Sequence, residues 1–495
     1  MTQGAHTLGR WIRDRARATP DRIAIVHDGS TMSYGQLDER SEGLAAGLLG
    51  SGLDRGDLVA TLTANSAEHV VVFFACAKAG LGLAPFNWRL APPELGSQLD
   101  DARPALFLVE PEHDRLADDA LGAAAVEPRQ IALGGGDQRA LEVSSGDARR
   151  ATVEDDDPLL VVYTSGTTGQ PKGAVLTHAN CFWTNLGFDL ASGVARDDVV
   201  LQVLPQFHCG GWNVQSLIAW WKGATVVLER SFDAARCLEL IGRKGITAMM
   251  GVPANYLFMA QEPGFARADL STLRTAVVGG AAMPAGLADE WRERGVDMIQ
   301  GYGLTEAAPN VLVSGKPYPY VEVALRDPET GRLLDGAASG ELVVRGPNVF
   351  AGYLRRPEET AATFMDGWLL TGDYAERDVE GTYRIQARVK DMYVSGGENV
   401  YPAEVESVLQ QHDGVADAAV VGVPDDRWGE AGVAFVVLES GAGVSQVALT
   451  KWCRERLAHY KVPREVRFVD VLPRSAMNKV LKDELAASLE QEAVA

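Results

Sequence analysis

Residues 159–178 read LLVVYTSGTTGQPKGAVLTH, a polar, glycine-rich centre between two apolar arms. Both arms are rich in β-branched and apolar residues, so the loop joins two strands rather than a strand and a helix. Within Tyr163–Gly173, Thr164, Ser165, Thr167 and Thr168 offer hydroxyl donors for phosphate oxygens. Gly166, Gly169 and Gly173 let the backbone approach a ligand closely, and Lys172 adds a mobile positive charge. The pattern is that of a phosphate cradle, with a polar surface hairpin as the alternative reading of the loop alone. It is not a Walker loop, which needs Gly before its Lys and Ser or Thr after it; Lys172 stands between Pro171 and Gly173.

Outward from this loop, apolar runs alternate with helical spacing. Leu8, Trp11 and Ile12 mark a helix over residues 8–18, IAIVHDG a strand, and a further helix opens near Ser33. VATLT, a helix around HVVVFFACAKAG and then LGLAPFN continue the series. Beyond the loop, ATVVLE, AMMGVP and TAVVGG are short apolar runs bounded by turn residues. This alternation predicts an α/β architecture with parallel sheet content. Residues 110–157, rich in Ala, Gly and acids, read as a surface excursion.

With 495 residues the chain exceeds what one hydrophobic core organises and predicts two or more domains. A hydrophobic content of 46% and a charged content of 23% are those of a globular protein. The formal net charge of -21 excludes broad attraction to nucleic acid or an anionic membrane, so any anionic ligand must be held locally. The five cysteines, Cys76, Cys181, Cys209, Cys237 and Cys453, show no C-x-x-C spacing, which fits neither a zinc site nor a disulfide framework. No long uncharged apolar run suits a membrane span, and the N-terminal stretch lacks an apolar signal region. The expected location is the cytoplasm.

Further polar clusters follow. In IQGYGLTE, Thr305 and Glu306 pair a hydroxyl with a carboxylate, a combination that can hold a phosphate oxygen and a magnesium ion; a capping box is the other reading. The third glycine of a dinucleotide fingerprint is missing. Asp373 in TGD and Arg388 in RVKD suit ribose hydroxyls or phosphates, although Asp in such a turn also bonds its own backbone. In PQFHCGGWN, His208 and Trp212 read by themselves as core residues, and Asn213, with Gln215 just beyond, either makes polar contacts or faces solvent.

Taken in order, YTSGTTGQPKG, GYGLTE, TGD, RVKD, SGGENVYPAEVE and PRSAMNKVLK resemble the adenylate-forming superfamily of acyl-CoA synthetases, adenylation domains and luciferases. The resemblance covers nearly the whole chain and is nearest to the fatty and aromatic acyl-CoA synthetases. It implies an α/β fold with a large, multi-subdomain N-terminal domain over residues 1–389, including a small β-barrel-like portion. A small, mobile α+β C-terminal domain follows over 390–495, with Lys390 as hinge and the site at the domain interface.

By the same resemblance, Thr164, Ser165, Gly166, Thr167, Thr168 and Lys172 form the phosphate loop, Thr305 contacts phosphate and Glu306 ligates magnesium. Gly279, Gly280 and Ala281 line the adenine and acyl pocket, and Tyr302, with Gly303 beside it, stacks near adenine. Asp373 holds the ribose hydroxyls with help from Arg388, and Lys479 reaches into the site for adenylation. His208 becomes a gate beside the carboxylate pocket, and Trp212 and Asn213 shape the acyl tunnel.

The implied reaction consumes ATP, with Mg²⁺ as cofactor and CoA as co-substrate. A carboxylic acid, aromatic or of medium to long chain, attacks the α-phosphate; pyrophosphate leaves, and a thiol such as that of CoA then takes the acyl group. Alternatives are a carrier-protein thiol or an amine as acceptor, including diazotase-like nitrite activation for an aryl amine, or a nucleotide-binding homologue without turnover. Two features depart from the pattern. Asn478 stands where relatives commonly have Gly before the lysine, and the stretch APNVLVSGKPYPYVEV after Glu306 is short.

Overall fold

A computed structural model describes residues 4–142, 151–164, 171–388, 391–395, 398–400, 402–425, 428–457, 459–475 and 480–494. The chain is mixed α/β, with a large N-terminal and a smaller C-terminal domain, as its sequence predicts. By contacts it divides into two compact units, Met1–Val323 with Val344–Leu369, and Ala324–Val343 with Leu370–Ala495. The expected hinge, Lys390, lies outside the described residues.

Among the described residues, two sheets lie in the first unit. Among the described residues one has the strand order Lys316–Pro317, Asn310–Val313, Met298–Gly303, Thr275–Val278, Ala248–Gly251, Val199–Gln202, Thr225–Leu228, Ile23–His27 and Ser30–Ser33. Its consecutive strands from Met298–Gly303 to Ile23–His27 run parallel, and the edges are antiparallel. The other has the order Gly352–Tyr353, Lys172–Thr177, Pro158–Thr164, Gly82–Phe86, Leu58–Leu62, Leu106–Val109 and Arg129–Ala132.

Local chemistry sets the helices between these strands. Ser33 caps Tyr34–Gly50 through a reciprocal box, Gln36 N donating to Ser33 Oγ at 3.2 Å and Ser33 N to Gln36 Oε1 at 2.8 Å. Ala67–Ala79 is buried from His69 to Ala79 and has no polar face, the signature of an interior helix.

The stretch 110–157 departs from expectation. It carries the helix Asp114–Ala123 and the edge strand Arg129–Ala132. Ala117 and Ala120 bury while Asp118 and Asp119 face water, so small side chains make an amphipathic helix that composition disguises as a loop.

Among the described residues the strands Leu333–Leu334, Glu322–Arg326, Ala338–Arg345, Trp368–Arg377 and Tyr383–Arg388 lie side by side in that order. A further sheet pairs Val415–Asp425 with Gly429–Leu438 over their whole length. Its period of two sends Val420, Ala434 and Val436 to one face, with Leu409 and Leu449 of the helices Pro402–Gln410 and Gln446–Arg454. Ala419, Val421, Val433 and Phe435 go to the other, with Leu472 and Leu485.

Candidate active site

Three loops of the first unit follow the carboxyl ends of parallel strands of one sheet. Val199–Gln202 leads to His208, Thr275–Val278 to Gly279–Ala281, and Met298–Gly303 to Thr305 and Glu306. Carboxyl ends of parallel strands are where open α/β sheets place ligands. Sequence candidates that lie far apart along the chain are thereby gathered at one end of the sheet.

The Gly279 and Tyr302 segments are braced together. Gln300 Nε2 donates to Ala281 O at 3.2 Å and to Gly301 O at 2.9 Å, and its Oε1 accepts from Met283 N at 3.0 Å. Tyr302 is half-buried, and Gly303 sits where a Cβ would lie 1.7 Å from Pro309 O, so a side chain there would break the turn. Thr305–Ala307 is a single 3-10 turn with no side-chain cap at Leu304, so the capping-box reading has no counterpart.

The strands that flank the Tyr163–Gly173 loop belong to the other sheet. Thr164 pairs with Lys172 and Tyr163 with Gly173, so the loop joins two antiparallel strands, as its arms predict. Ser165, Gly166, Thr167 and Thr168 lie outside the described residues. Tyr163 anchors the base of the hairpin through its hydroxyl, which donates to Asp101 Oδ2 at 2.9 Å.

Residues 350–354 bridge the two sheets. Phe350 N donates to Glu306 O at 2.9 Å, Ala351 N to Val175 O at 3.0 Å and Leu354 N to Gly173 O at 2.8 Å. Tyr353 OH donates to Glu306 Oε1 at 2.8 Å, and Lys172 Nζ lies 5.3 Å from the centre of the Tyr353 ring. Burial first, and then the Glu306 carboxylate, push the Tyr353 phenol well above its usual range, so it stays protonated and donates.

His208 is half-buried with its ring 4.6 Å from that of Phe207. Trp212 is fully buried: its ring stacks on Phe73 at 4.5 Å, and Nε1 donates to Gln206 O at 2.6 Å. Asn213 is also fully buried, its Oδ1 accepting from Asn185 Nδ2 at 3.0 Å and its Nδ2 reaching Cys181 Sγ at 3.4 Å. The structure thus places Trp212 and Asn213 behind the His208 loop, in the packing that supports it.

In the second unit, Asp373 is buried and pairs in register with Arg388. Lys479 lies outside the described residues.

The AMP-binding enzyme family matches residues 12–354, and its C-terminal domain matches residues 404–479. The chain belongs to the AMP-binding enzyme family. It is similar to a feruloyl-CoA synthase of Amycolatopsis sp, 40% identical over 97% of this chain and 98% of that protein. An indoleacetate–CoA ligase of Aromatoleum aromaticum is 38% identical over 97% of each chain. Among solved structures, ATP-bound MatB from Rhodopseudomonas palustris superposes with a TM-score of 0.91 at 32% identity, covering 98% of this chain and 99% of that one. No described helix of this AMP-binding enzyme is long and apolar enough to cross a membrane.

Three supports of this family member's site escape sequence reading: Gln300, Asn348 and Tyr353. Asn348 is buried and donates to Ala307 O at 2.9 Å and to Asn310 O at 3.0 Å, fixing the turn that carries Glu306. Tyr353 follows Gly352, whose φ of +136° and 2.6 Å approach of its would-be Cβ to Thr360 Cγ2 exclude other residues. That glycine beside a tyrosine was the signal available in the sequence. A single oriented carboxylate suits magnesium, which takes one or two carboxylates beside phosphate oxygens and waters. Glu306 meets that description, because Oε2 has no side-chain partner among the described residues.

Proposed function

We propose that this enzyme is an AMP-forming acid–CoA ligase whose substrate is an aromatic carboxylic acid. One observation carries the substrate class: similarity from end to end to ligases named for feruloyl and indoleacetate groups. The acid's carboxylate attacks the α-phosphorus of ATP, a new O–P bond forms, and the bond to the bridging oxygen breaks to release pyrophosphate. The CoA thiolate then attacks the acyl carbon and AMP leaves.

The chain's own residues make this possible by holding two anions together in line. Lys172 and the hydroxyls Thr164, Ser165, Thr167 and Thr168 grip the departing phosphates, Thr305 contacts phosphate, and Lys479 meets the charge that develops on oxygen. Gly166 and Gly303 admit the backbone close to the nucleotide. Gly279, Gly280, Ala281 and Tyr302 receive the adenine, and Asp373 with Arg388 receives the ribose. Glu306 would hold magnesium, which would supply charge neutralisation. His208 stands at the carboxylate entrance. Trp212 and Asn213 set the shape of the acyl tunnel from behind. The 390–495 domain turns about Lys390 between the two half-reactions, and the enzyme works in the cytoplasm, where its thiols stay reduced.

A screen of aromatic and aliphatic acids, with AMP release measured with and without CoA, tests the reading. Turnover that requires both an aryl acid and CoA supports it. Turnover on aliphatic acids alone, or with a carrier protein or an amine in place of CoA, overturns it.

A further inference from the structure

We infer that Tyr353 is a positioning residue for the magnesium ligand: its hydroxyl fixes the Glu306 carboxylate so that Oε2 is left to face the cation. The inference rests on the reading of Glu306 given above. Its geometric basis is the 2.8 Å bond from Tyr353 OH to Glu306 Oε1 and the lack of a side-chain partner on Oε2 among the described residues.

The backbone holds Tyr353 in place independently of that bond. Tyr353 pairs in register with Ala174, its N–H donates to Thr360 Oγ1 at 2.8 Å, and Leu354 N donates to Gly173 O at 2.8 Å. Its ring meets Phe350 edge-on at 5.0 Å and carries Lys172 at 5.3 Å. Phe350 in turn donates its N–H to Glu306 O at 2.9 Å. One short segment therefore fixes Glu306 by main chain and side chain while being stitched to the strand that begins at Lys172. The carboxylate and the phosphate-loop lysine keep a fixed relation to each other through the Tyr353 ring.

An unsupported carboxylate rotates and offers either oxygen, whereas one oxygen held by a neutral donor leaves a single oriented ligand. Groups that orient metal ligands in this way are commonly worth about 10–100-fold in metal affinity. Tyr353→Phe removes the hydroxyl and keeps the ring contacts with Phe350 and Lys172.

The test measures Mn²⁺ binding by electron paramagnetic resonance to the full-length enzyme in the presence of a non-hydrolysable ATP analogue. Wild type, Tyr353→Phe, Glu306→Gln and the double variant are compared, with thermal melting and metal-free binding of the analogue measured in parallel. We expect Tyr353→Phe to weaken Mn²⁺ binding about tenfold, with metal-free analogue binding unchanged. Glu306→Gln is expected to weaken it further, and the double variant to be no worse than Glu306→Gln. If Glu306→Gln binds Mn²⁺ as wild type does, the reading of Glu306 fails. If Glu306→Gln weakens binding and Tyr353→Phe does not, or if the two losses add in the double variant, the inference about Tyr353 is overturned.

Discussion

Asp373 and Arg388 are register partners across the antiparallel pair Trp368–Arg377 and Tyr383–Arg388. Asp373 is also held by its main chain, its N–H donating to Thr371 Oγ1 at 3.0 Å while the Thr371 hydroxyl donates to Leu342 O at 2.7 Å. The proposed role of Asp373 is to hold the ribose hydroxyls. Asp373→Ala is expected to raise the KM for ATP on the order of tenfold to a hundredfold, the loss of a hydrogen bond to a charged group. The variant is also expected to lose the wild-type preference for ATP over its 3′-deoxy analogue. Steady-state kinetics with both nucleotides measure this, and a retained preference would remove Asp373 from the ribose site.

Lys479 is assigned to the first half-reaction alone. Lys479→Ala is expected to slow adenylate formation by about a hundredfold or more, in line with the loss of one preorganised charge. Thiolysis of a supplied acyl adenylate by CoA is expected to change far less. Single-turnover assays of the two steps separate them, and equal losses in both would contradict the assignment.

Trp212 acts through packing. Removing its fully buried ring takes away the stack on Phe73 and the bond to Gln206 O. Trp212→Ala is expected to cost about 3–5 kcal/mol of stability, read from urea unfolding. A loss below about 1 kcal/mol would mean that the ring has little to do with holding the His208 loop.

Two buried histidines give stability a pH dependence. Burial lowers His178 to about 4 and His69 to about 3, so both rings are neutral in the fold. His178 Nδ1 accepts from Leu8 N at 3.1 Å, and His69 Nε2 lies 3.0 Å from Thr61 Oγ1. Above pH 6.5, the ordinary histidine value, their full contribution is present. As pH falls from there toward 4 for His178 and 3 for His69, the unfolded chain takes up protons that the folded one refuses, and stability is lost. At about pH 5 each ring has cost about 2 kcal/mol. Urea unfolding across this range is expected to show the decline, and His178→Gln to flatten it. An identical slope in the variant would show that His178 is not its source.

Much of this was legible in the sequence where periodicity and turn chemistry agree. The two arms of the Tyr163–Gly173 loop, the helix opening at Ser33 and the strand that leads to Gly279 all follow from local patterns. The helix Asp114–Ala123 was not legible, because Ala117 and Ala120 make a buried face within a stretch whose composition reads as a surface excursion. Asp373 and Arg388 were separate weak signals until strand register joined them. Tyr353 was missed because its significance is a contact with Glu306 across two sheets, which no local window contains. Trp212 gave a correct core signal by itself; its place in the packing explains how a core residue can bear on a pocket without facing it.

In the proposed reaction the acid's own oxygen is transferred to AMP before CoA takes the acyl group. It is tested most directly with an aryl acid labelled with ¹⁸O in both carboxylate oxygens, turned over with ATP and CoA and analysed by mass spectrometry. AMP carrying one ¹⁸O and an acyl-CoA thioester retaining the other are expected. Unlabelled AMP, or ADP with labelled phosphate in its place, would contradict it.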